Sequence, residues 1–373
     1  MNRSLLISGA IVLLMTACVS APELGTDTAE AHAYKPMGFA RVAADGAVTA
    51  RFSSAGGTVS ATRYATGRYY INFVGLGTGP YSPYAGNVQI VAEGANNLRC
   101  SLPGTLILSD VSRVYVDCVA PDASFADAAF SVLYYRAIMP APNSIPTYAA
   151  YTIVWANGTL YQNLGWEYDY NSSGVHNTVA RVATGVYRVN ITNGSAVNAS
   201  VMVTPADQAH PGNVCSVLSW SAGRVWVECR DRTSTLADTT FSLSYSTSGP
   251  TVDQQGAHAW FNGSVAHASY SAALGRMTTC SPASIAAYPV GSRAGVTVSG
   301  DLGSWDAAPF VHLPFASKYG SAGYCKVEST ATSGAAPSWA ATSVIRCYNP
   351  DGSVVATPLF TFTAVTNEVT GPC

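Results

Sequence analysis

RVYVDC (113–118) and RVWVEC (224–229) are the two stretches that decide the fold. In both hexapeptides valine alternates with polar or aromatic residues, which is the two-residue period of a β-strand with one face toward a core. Each hexapeptide ends in a cysteine and follows an earlier cysteine, Cys100 in the first case and Cys215 in the second. The same strand, with the same pair of cysteines, therefore occurs twice in the chain.

The segments around these strands are also repeated in the same order. GRYYINF (67–73) corresponds to GVYRVNI (185–191), NVQIVA (87–92) to ASVMVT (199–204), and ADAAFSVLYY (126–135) to ADTTFSLSYS (237–246). These segments are rich in Val, Ile, Tyr and Phe and are bounded by Gly, Asn, Asp and Pro, as is typical of strands.

A third, more divergent copy follows the second. AHAW (257–260) repeats AHAY (31–34), and ATPLFTFT (356–363) takes the place of the last strand. Cys325 and Cys347 take the places of the cysteine pair.

The copies divide the chain into three predicted domains, at 31–140, 147–247 and 256–373. PAPNSIP (140–146) is a proline-rich linker between the first two, and residues 19–30 form a short tether before the first. About seven strands fit in a unit of about 100 residues, so the sequence predicts an all-β protein of three tandem β-sandwich domains.

The N-terminus, MNRSLLISGAIVLLMTAC (1–18), has one early positive charge, an apolar run, and small residues before Cys18. It is too short for a spanning helix and is typical of a secretory signal. Its end resembles the lipobox of bacterial lipoproteins. That resemblance implies cleavage before Cys18, lipidation of its sulfur, and, since residue 19 is Val rather than Asp, anchoring in the outer membrane.

The repeated pattern of a cysteine, V-x-V-x-C and a closing D-x-x-F strand resembles uncharacterised repeat domains of exported bacterial proteins. No activity is attached to that resemblance, and it assigns no catalytic residue.

Cysteine number and composition agree with export. Eight cysteines remain after Cys18, and an even number in an exported chain predicts disulfides. Repeat equivalence predicts three pairs and elimination the fourth: Cys100–Cys118, Cys215–Cys229, Cys325–Cys347 and Cys280–Cys373. Charged residues make up 11% of the chain against a typical ~25%, and the net charge is −2. This balance argues against nucleic acid, which would need a basic stripe.

WEYDY (166–170) is the strongest local candidate for chemistry. On a strand Trp166 and the tyrosines share one face, whereas Glu167 and Asp169 share the other about 7 Å apart, a spacing within the range of glycosidase carboxylates. The aromatic face could stack a sugar. The repeat alignment favours a structural interpretation, because it places Tyr168 at the position of Phe52, a core position, and leaves both acids on a solvated face.

Tyr81 and Tyr84, in the loop GPYSPYAG (79–86), are a second candidate ligand contact, because tyrosine in a Gly/Pro loop suits recognition. No serine-hydrolase, metalloprotease or nucleotide-loop motif occurs in the sequence, and no cofactor or metal site is predicted. The sequence therefore predicts a lipid-anchored structural or adhesive protein of the cell envelope that recognises a glycan or protein through inter-strand loops. The alternatives are a carbohydrate-binding protein and a cell-envelope glycoside hydrolase.

Overall fold

The computed structural model describes twelve segments of the chain. They are residues 36–77, 86–136, 149–160, 168–194, 199–221, 223–246, 256–261, 266–271, 284–301, 312–318, 320–335 and 338–366. Within these segments no helix is long and apolar enough to cross a membrane.

In the segments that the structure describes, each repeat contributes eight strands to the fold. The first repeat holds β1 (Met37–Val42), β2 (Val48–Ser53), β3 (Val59–Ala65), β4 (Arg68–Val74), β5 (Asn87–Glu93), β6 (Arg99–Ile107), β7 (Val111–Val119) and β8 (Ala129–Tyr135). The second holds β9 (Ala149–Val154), β10 (Asp169–Asn171), β11 (Thr178–Ala183), β12 (Val186–Asn190), β13 (Ser200–Pro205), β14 (Val214–Ser221), β15 (Arg224–Arg230) and β16 (Phe241–Ser246). The third holds β17 (Gly256–Phe261), β18 (Ala266–Ser271), β19 (Ser284–Val290), β20 (Arg293–Asp301), β21 (His312–Lys318), β22 (Tyr324–Ala335), β23 (Ser338–Tyr348) and β24 (Phe360–Thr366).

The strands of each repeat form two four-stranded antiparallel layers with one common topology. In the first repeat the orders are β2-β1-β8-β5 and β3-β4-β7-β6, and the other two repeats reproduce both orders strand for strand. The predicted fold class, all-β with disulfide-stapled β-sandwich repeats, is confirmed. The sequence predicted about seven strands per repeat, and the described segments hold eight, because short turns join strands of mostly five to nine residues in the first two repeats. The predicted domain boundaries stay predictions.

The three disulfides predicted within the repeats are present, and each joins the sixth and seventh strands of its repeat. Cys100 lies directly opposite Cys118 on β6 and β7, and the register of β14–β15 and β22–β23 places the other two pairs in the same way. Their Cα atoms are 4.0, 4.1 and 4.0 Å apart. Cys18 and the predicted pair Cys280–Cys373 lie outside the described residues.

The layer containing β8 is buried on both of its faces. Phe130, Val132 and Tyr134 point into the core of the first repeat. Leu133 and Tyr135, on the opposite face of the same strand, join a second core that extends into the third repeat. The burial of both faces accounts for the unbroken apolar sequence of this strand.

The second core joins all three repeats in a closed ring. The fifth strands, β5, β13 and β21, contact one another. Each fifth strand also contacts the eighth strand of the following repeat, through the pairs β5–β16, β13–β24 and β21–β8. The last of these pairs runs from the third repeat back to the first, so the ring closes. In addition, β22 pairs with β5 in parallel at Val327 and Glu93, which makes one eight-stranded sheet from two repeats.

Buried polar side chains fix the contact between the first two repeats. The Asn87 amide donates hydrogen bonds to Ser242 Oγ at 2.8 Å and to the Leu243 carbonyl at 3.1 Å. Thr204 Oγ1 donates to Gln89 Oε1 at 2.9 Å. Because a buried polar group without a partner is costly, these bonds hold the repeats in one register.

Candidate functional site

Among the predicted ligand contacts, Asp169 is the one that the structure describes. Tyr81, Tyr84, Trp166 and Glu167 lie outside the described residues. Their role as ligand contacts therefore stays a prediction, as does lipidation of Cys18.

Asp169 forms the centre of a buried polar cluster at the edge of the second repeat. Its side chain is fully buried, and Oδ2 lies 3.1 Å from Nδ1 of His176, whose side chain is half exposed. The Asn177 amide donates to Asp169 Oδ1 at 2.5 Å and to the Tyr170 carbonyl at 3.0 Å. The prediction that Asp169 lies on a solvated face was wrong. All three residues of β10 are buried, and the segment after the turn following β10 brings His176 and Asn177 against the carboxylate.

The repeat alignment through WEYDY was wrong by two residues. Tyr170, rather than Tyr168, occupies the position of Phe52. Tyr170 pairs with Tyr151 and stacks on it at 5.3 Å, and Phe52 stacks on Phe39 at 5.4 Å with nearly the same interplanar angle. Tyr170 lies in the core, as expected for the aromatic face, but Asp169 now corresponds to Arg51 in the first repeat.

This cluster holds the Asp169 carboxyl group in a fixed position but does not form a complete catalytic site among the described residues. Burial raises the pKa of Asp169, whereas the hydrogen bonds from Asn177 and His176 act in the opposite direction. A carboxylate bonded to a half-exposed histidine can orient the imidazole. Hydrolysis of a glycoside would need a second carboxylate, and Glu167 is not among the described residues. The described residues also hold no group of three or more metal-ligating side chains.

A second polar cluster holds the repeats to their neighbours near the ring axis. Arg99 is 4% exposed and donates to the Pro350 carbonyl at 2.6 Å and to the Pro121 carbonyl at 3.4 Å. Its guanidinium also lies 5.7 Å from the ring of Tyr324. Arg99 and Tyr324 each precede the first cysteine of their repeat, so equivalent positions meet across the axis.

Two lysines of the third repeat are buried beside this contact. Lys318 bonds to Ser321, and burial lowers its pKa. Lys326 is fully buried and donates to Asn96 Oδ1 at 2.5 Å. A narrow cleft at the axis is lined by Arg99, Lys318, Tyr324 and one cysteine from each disulfide, Cys100, Cys215 and Cys325. The sequence analysis did not predict that Arg99, Lys318 and Lys326 are buried. For Arg99 and Lys326 the sequence does offer a signal, because each lies directly beside a cysteine of a predicted disulfide.

A third polar cluster recurs in the first two repeats and is structural. Asp127 accepts hydrogen bonds from Arg63 at 2.7 and 2.8 Å, from the Gly67 amide at 2.7 Å and from the Tyr69 hydroxyl at 3.2 Å. These donors, Arg63 above all, lower the pKa of Asp127 to about 2. Asp238 receives the same set of donors in the second repeat. The cluster ties the β3–β4 hairpin to the loop before β8, which explains its repetition.

Comparison with known proteins found no relative. No family model, no curated protein and no solved structure matches the chain.

Proposed function

We propose that this chain is a lipid-anchored, exported protein of the outer membrane with a structural or adhesive role, and that it recognises its ligand through inter-strand loops. The observation that carries the proposal is the set of three disulfides at one repeated position. They indicate an oxidising, exported environment, because thiols in the cytosol are kept reduced. The lipobox-like end of the N-terminal segment supports the anchor at Cys18.

The arrangement of the described polar clusters supports a binding or structural role. Asp127 and Asp238 hold the same hairpin in successive repeats, and Arg99 and Lys326 hold neighbouring repeats together. Each of these groups has a partner within the fold. The hydrogen bonds of these groups therefore stabilise the ring. Recognition of a ligand is assigned to the loops, where binding residues most often lie.

Three equivalent turns meet at one end of the ring and form a composite loop surface. They are residues 120–124, 231–235 and 349–353, and each is closed by a hydrogen bond from its first amide to its last carbonyl. Arg232 of the second turn donates to the Asp122 carbonyl of the first at 2.6 Å. Gly352 of the third turn lies against Pro121. This loop surface draws one turn from every repeat, so it exists only when the ring is assembled.

Membrane fractionation tests the anchor. Wild-type protein should fractionate with the outer membrane, and its intact mass should include a lipid on Cys18. Cys18→Ser should leave the protein unprocessed or release it, because each buried acyl CH₂ contributes about 0.8 kcal/mol to membrane binding. Unchanged fractionation and mass in this variant would refute the anchor.

Retention on insoluble peptidoglycan tests the loop surface. Asp122 is exposed and caps its turn by accepting from Ser124, and Asp45 caps the exposed 43–47 turn elsewhere in the same repeat by accepting from Ala47. Wild-type protein should be retained, Asp122→Ala should reduce retention, and the matched control Asp45→Ala should not. Equal loss in both variants, or no retention of the wild type, would contradict recognition of this polymer through these turns.

A further inference from the structure

The outward face of the strand that identifies the repeats is a second surface with binding chemistry. In β7 the valines of RVYVDC point into the core, so Arg113 and Tyr115 point away from it. The register of the sheet places Tyr70 opposite Tyr115, and Asn72 opposite Arg113. An aromatic side chain and an arginine thus stand side by side on an open sheet face.

Three tyrosines form a row across neighbouring strands of this face. Tyr64 on β3 is 49% exposed and stacks on Tyr70 of β4, with ring centroids 6.1 Å apart. Tyr115 on β7 contacts the other side of Tyr70, with centroids 6.3 Å apart. Beyond Tyr115, its neighbour on β6 is Gly104, where an added side chain would meet open space. The row therefore borders open space at Gly104.

Arg113 is held rigidly at the edge of this row. Its Nε donates to Asn72 Oδ1 at 2.8 Å, and its guanidinium carbon lies 4.4 Å from the centroid of Tyr70. No ion pair joins Arg113 to a carboxylate among the described residues, whereas the neighbouring Arg68 faces Asp117 at 3.8 Å. Its positive charge is fixed in place and remains available to an external acid.

The second repeat keeps the arginine and the ring of this strand but not the tyrosine row. Arg224 and Trp226 of RVWVEC take the places of Arg113 and Tyr115. Arg188 stands at the position of Tyr70, and its guanidinium lies 5.9 Å from the Trp226 ring. In the third repeat the equivalent positions on β23 hold Thr342 and Val344. At these two positions the third repeat lacks both the cation and the ring, so they supply an internal control.

We propose that these outer sheet faces of the first and second repeats bind acidic polysaccharide. The tyrosine row offers apolar ring surface for the C–H surfaces of sugar rings. Arg113 supplies charge-assisted, two-pronged hydrogen bonds to a carboxylate on the chain. The inference rests on the exported location proposed above but not on the loop surface, from which these residues are distinct.

The composition of these faces favours an acidic glycan over a nucleic acid. The first repeat pairs Arg113 with three tyrosines, and the second pairs Arg188 and Arg224 with Trp226, instead of the continuous basic groove that tracks a phosphate backbone. The whole chain carries a net charge of −2, which differs from the strongly basic balance of nucleic-acid-binding domains. Carboxylates carried on sugar rings match both the isolated cations and the aromatic rings.

Binding of the full chain to polygalacturonate, with neutral galactan and a single-stranded oligonucleotide as competitors, tests the proposal by calorimetry. Wild-type protein should bind polygalacturonate, more weakly as salt rises. Arg113→Gln with Arg224→Gln should weaken binding at least tenfold, which is the scale of a lost charge-assisted hydrogen bond. Tyr115→Ala should weaken binding further at any salt concentration, because stacking does not depend on charge.

The control is the pair Thr342→Ala and Val344→Ala in the third repeat, which should bind like the wild type. Unchanged disulfide maps and circular dichroism establish that each variant is folded. No binding of polygalacturonate by the wild type, wild-type affinity in the arginine variant, or tighter binding of the oligonucleotide would overturn the proposal. Each of these outcomes leaves the anchor and loop tests untouched.

Discussion

Lys326 should make the stability of this protein depend on pH in an unusual direction. Its ammonium group lies between the third repeat and the β5–β6 loop of the first, fully buried, with Asn96 Oδ1 at 2.5 Å and the Leu98 carbonyl at 3.4 Å. Burial lowers its pKa from 10.5 to about 7, and the carboxylates of Glu328 and Glu93 oppose this shift only in part.

The sign follows from proton binding in the two states. Between pH 7 and 10.5 the unfolded chain holds a proton on Lys326 that the folded chain has released. Deprotonation thus favours the folded state, and the free energy of unfolding should rise with pH. The slope approaches about 1.4 kcal/mol per pH unit, so the gain from pH 7.5 to 9.5 is about 2.5 kcal/mol. Below pH 7 both states hold the proton and the slope disappears.

Lys326→Met provides the test, because methionine keeps the apolar stem and removes the titrating group. Guanidinium unfolding without reductant at pH 6, 7.5 and 9.5 should show the midpoint of the wild type rising at the upper two values. The Met variant should show a smaller rise, since Lys318, whose pKa is also lowered by burial, still contributes. Parallel pH profiles for the two proteins would refute the assignment of this slope to Lys326.

Three further results are expected. Asp169→Asn should lower the free energy of unfolding by about 1–3 kcal/mol in thermal melts, because it puts an amide donor against buried donors, and an unchanged melt would contradict the cluster. Replacing both Cys215 and Cys229 by Ser should cost about 3 kcal/mol by denaturant titration, since their disulfide closes a short loop of 14 residues; a cost near zero would argue against the bridge. Non-reducing peptide mapping should recover Cys280 linked to Cys373, and a bridge from either to another repeat would contradict the predicted pairing.

Polysaccharide hydrolysis provides a separate test of the glycoside hydrolase alternative. Wild-type protein should not release reducing ends from polysaccharides or peptidoglycan. Hydrolysis that disappears in a folded protein carrying both Glu167→Gln and Asp169→Asn would reverse the non-enzyme interpretation. The melt of Asp169→Asn alone serves as the folding control, because Asp169 is buried.

The strands and the disulfides within repeats could be predicted from local sequence pattern. The side chains buried between repeats could not. Alternating valine in RVYVDC places Cys118 inward and opposite Cys100, so the disulfides could be read from spacing and repetition. The alignment of NVQIVA with ASVMVT was one residue off, because the structure places Asn87 and Ser200 at equivalent positions. A shift of one residue exchanges the two faces of a strand.

The ring itself left little signal in the sequence. Asn87 and Gln89 would be expected at a surface, yet both are buried against the second repeat. A polar side chain in an alternating strand is equally compatible with a solvent-exposed face and with a face buried against a polar partner. For Asn87 that partner lies more than 100 residues away in the sequence. The burial of Lys326 and of Asp169 was missed for the same reason. Their burial comes from segments that fold back or arrive from another repeat.

A closed ring also fixes how many repeats can share one core. Open tandem arrays lengthen or shorten by unequal recombination, because an added unit stacks on the end of the row. Here the third repeat already occupies the face of the first that a fourth would need, with β21 against β8 and β22 paired to β5. An added repeat would find no free face in the ring to pack against. Loss of a repeat would expose the apolar faces of both of its neighbours to water. The three copies can therefore diverge in sequence within the ring, but their number cannot change without opening it.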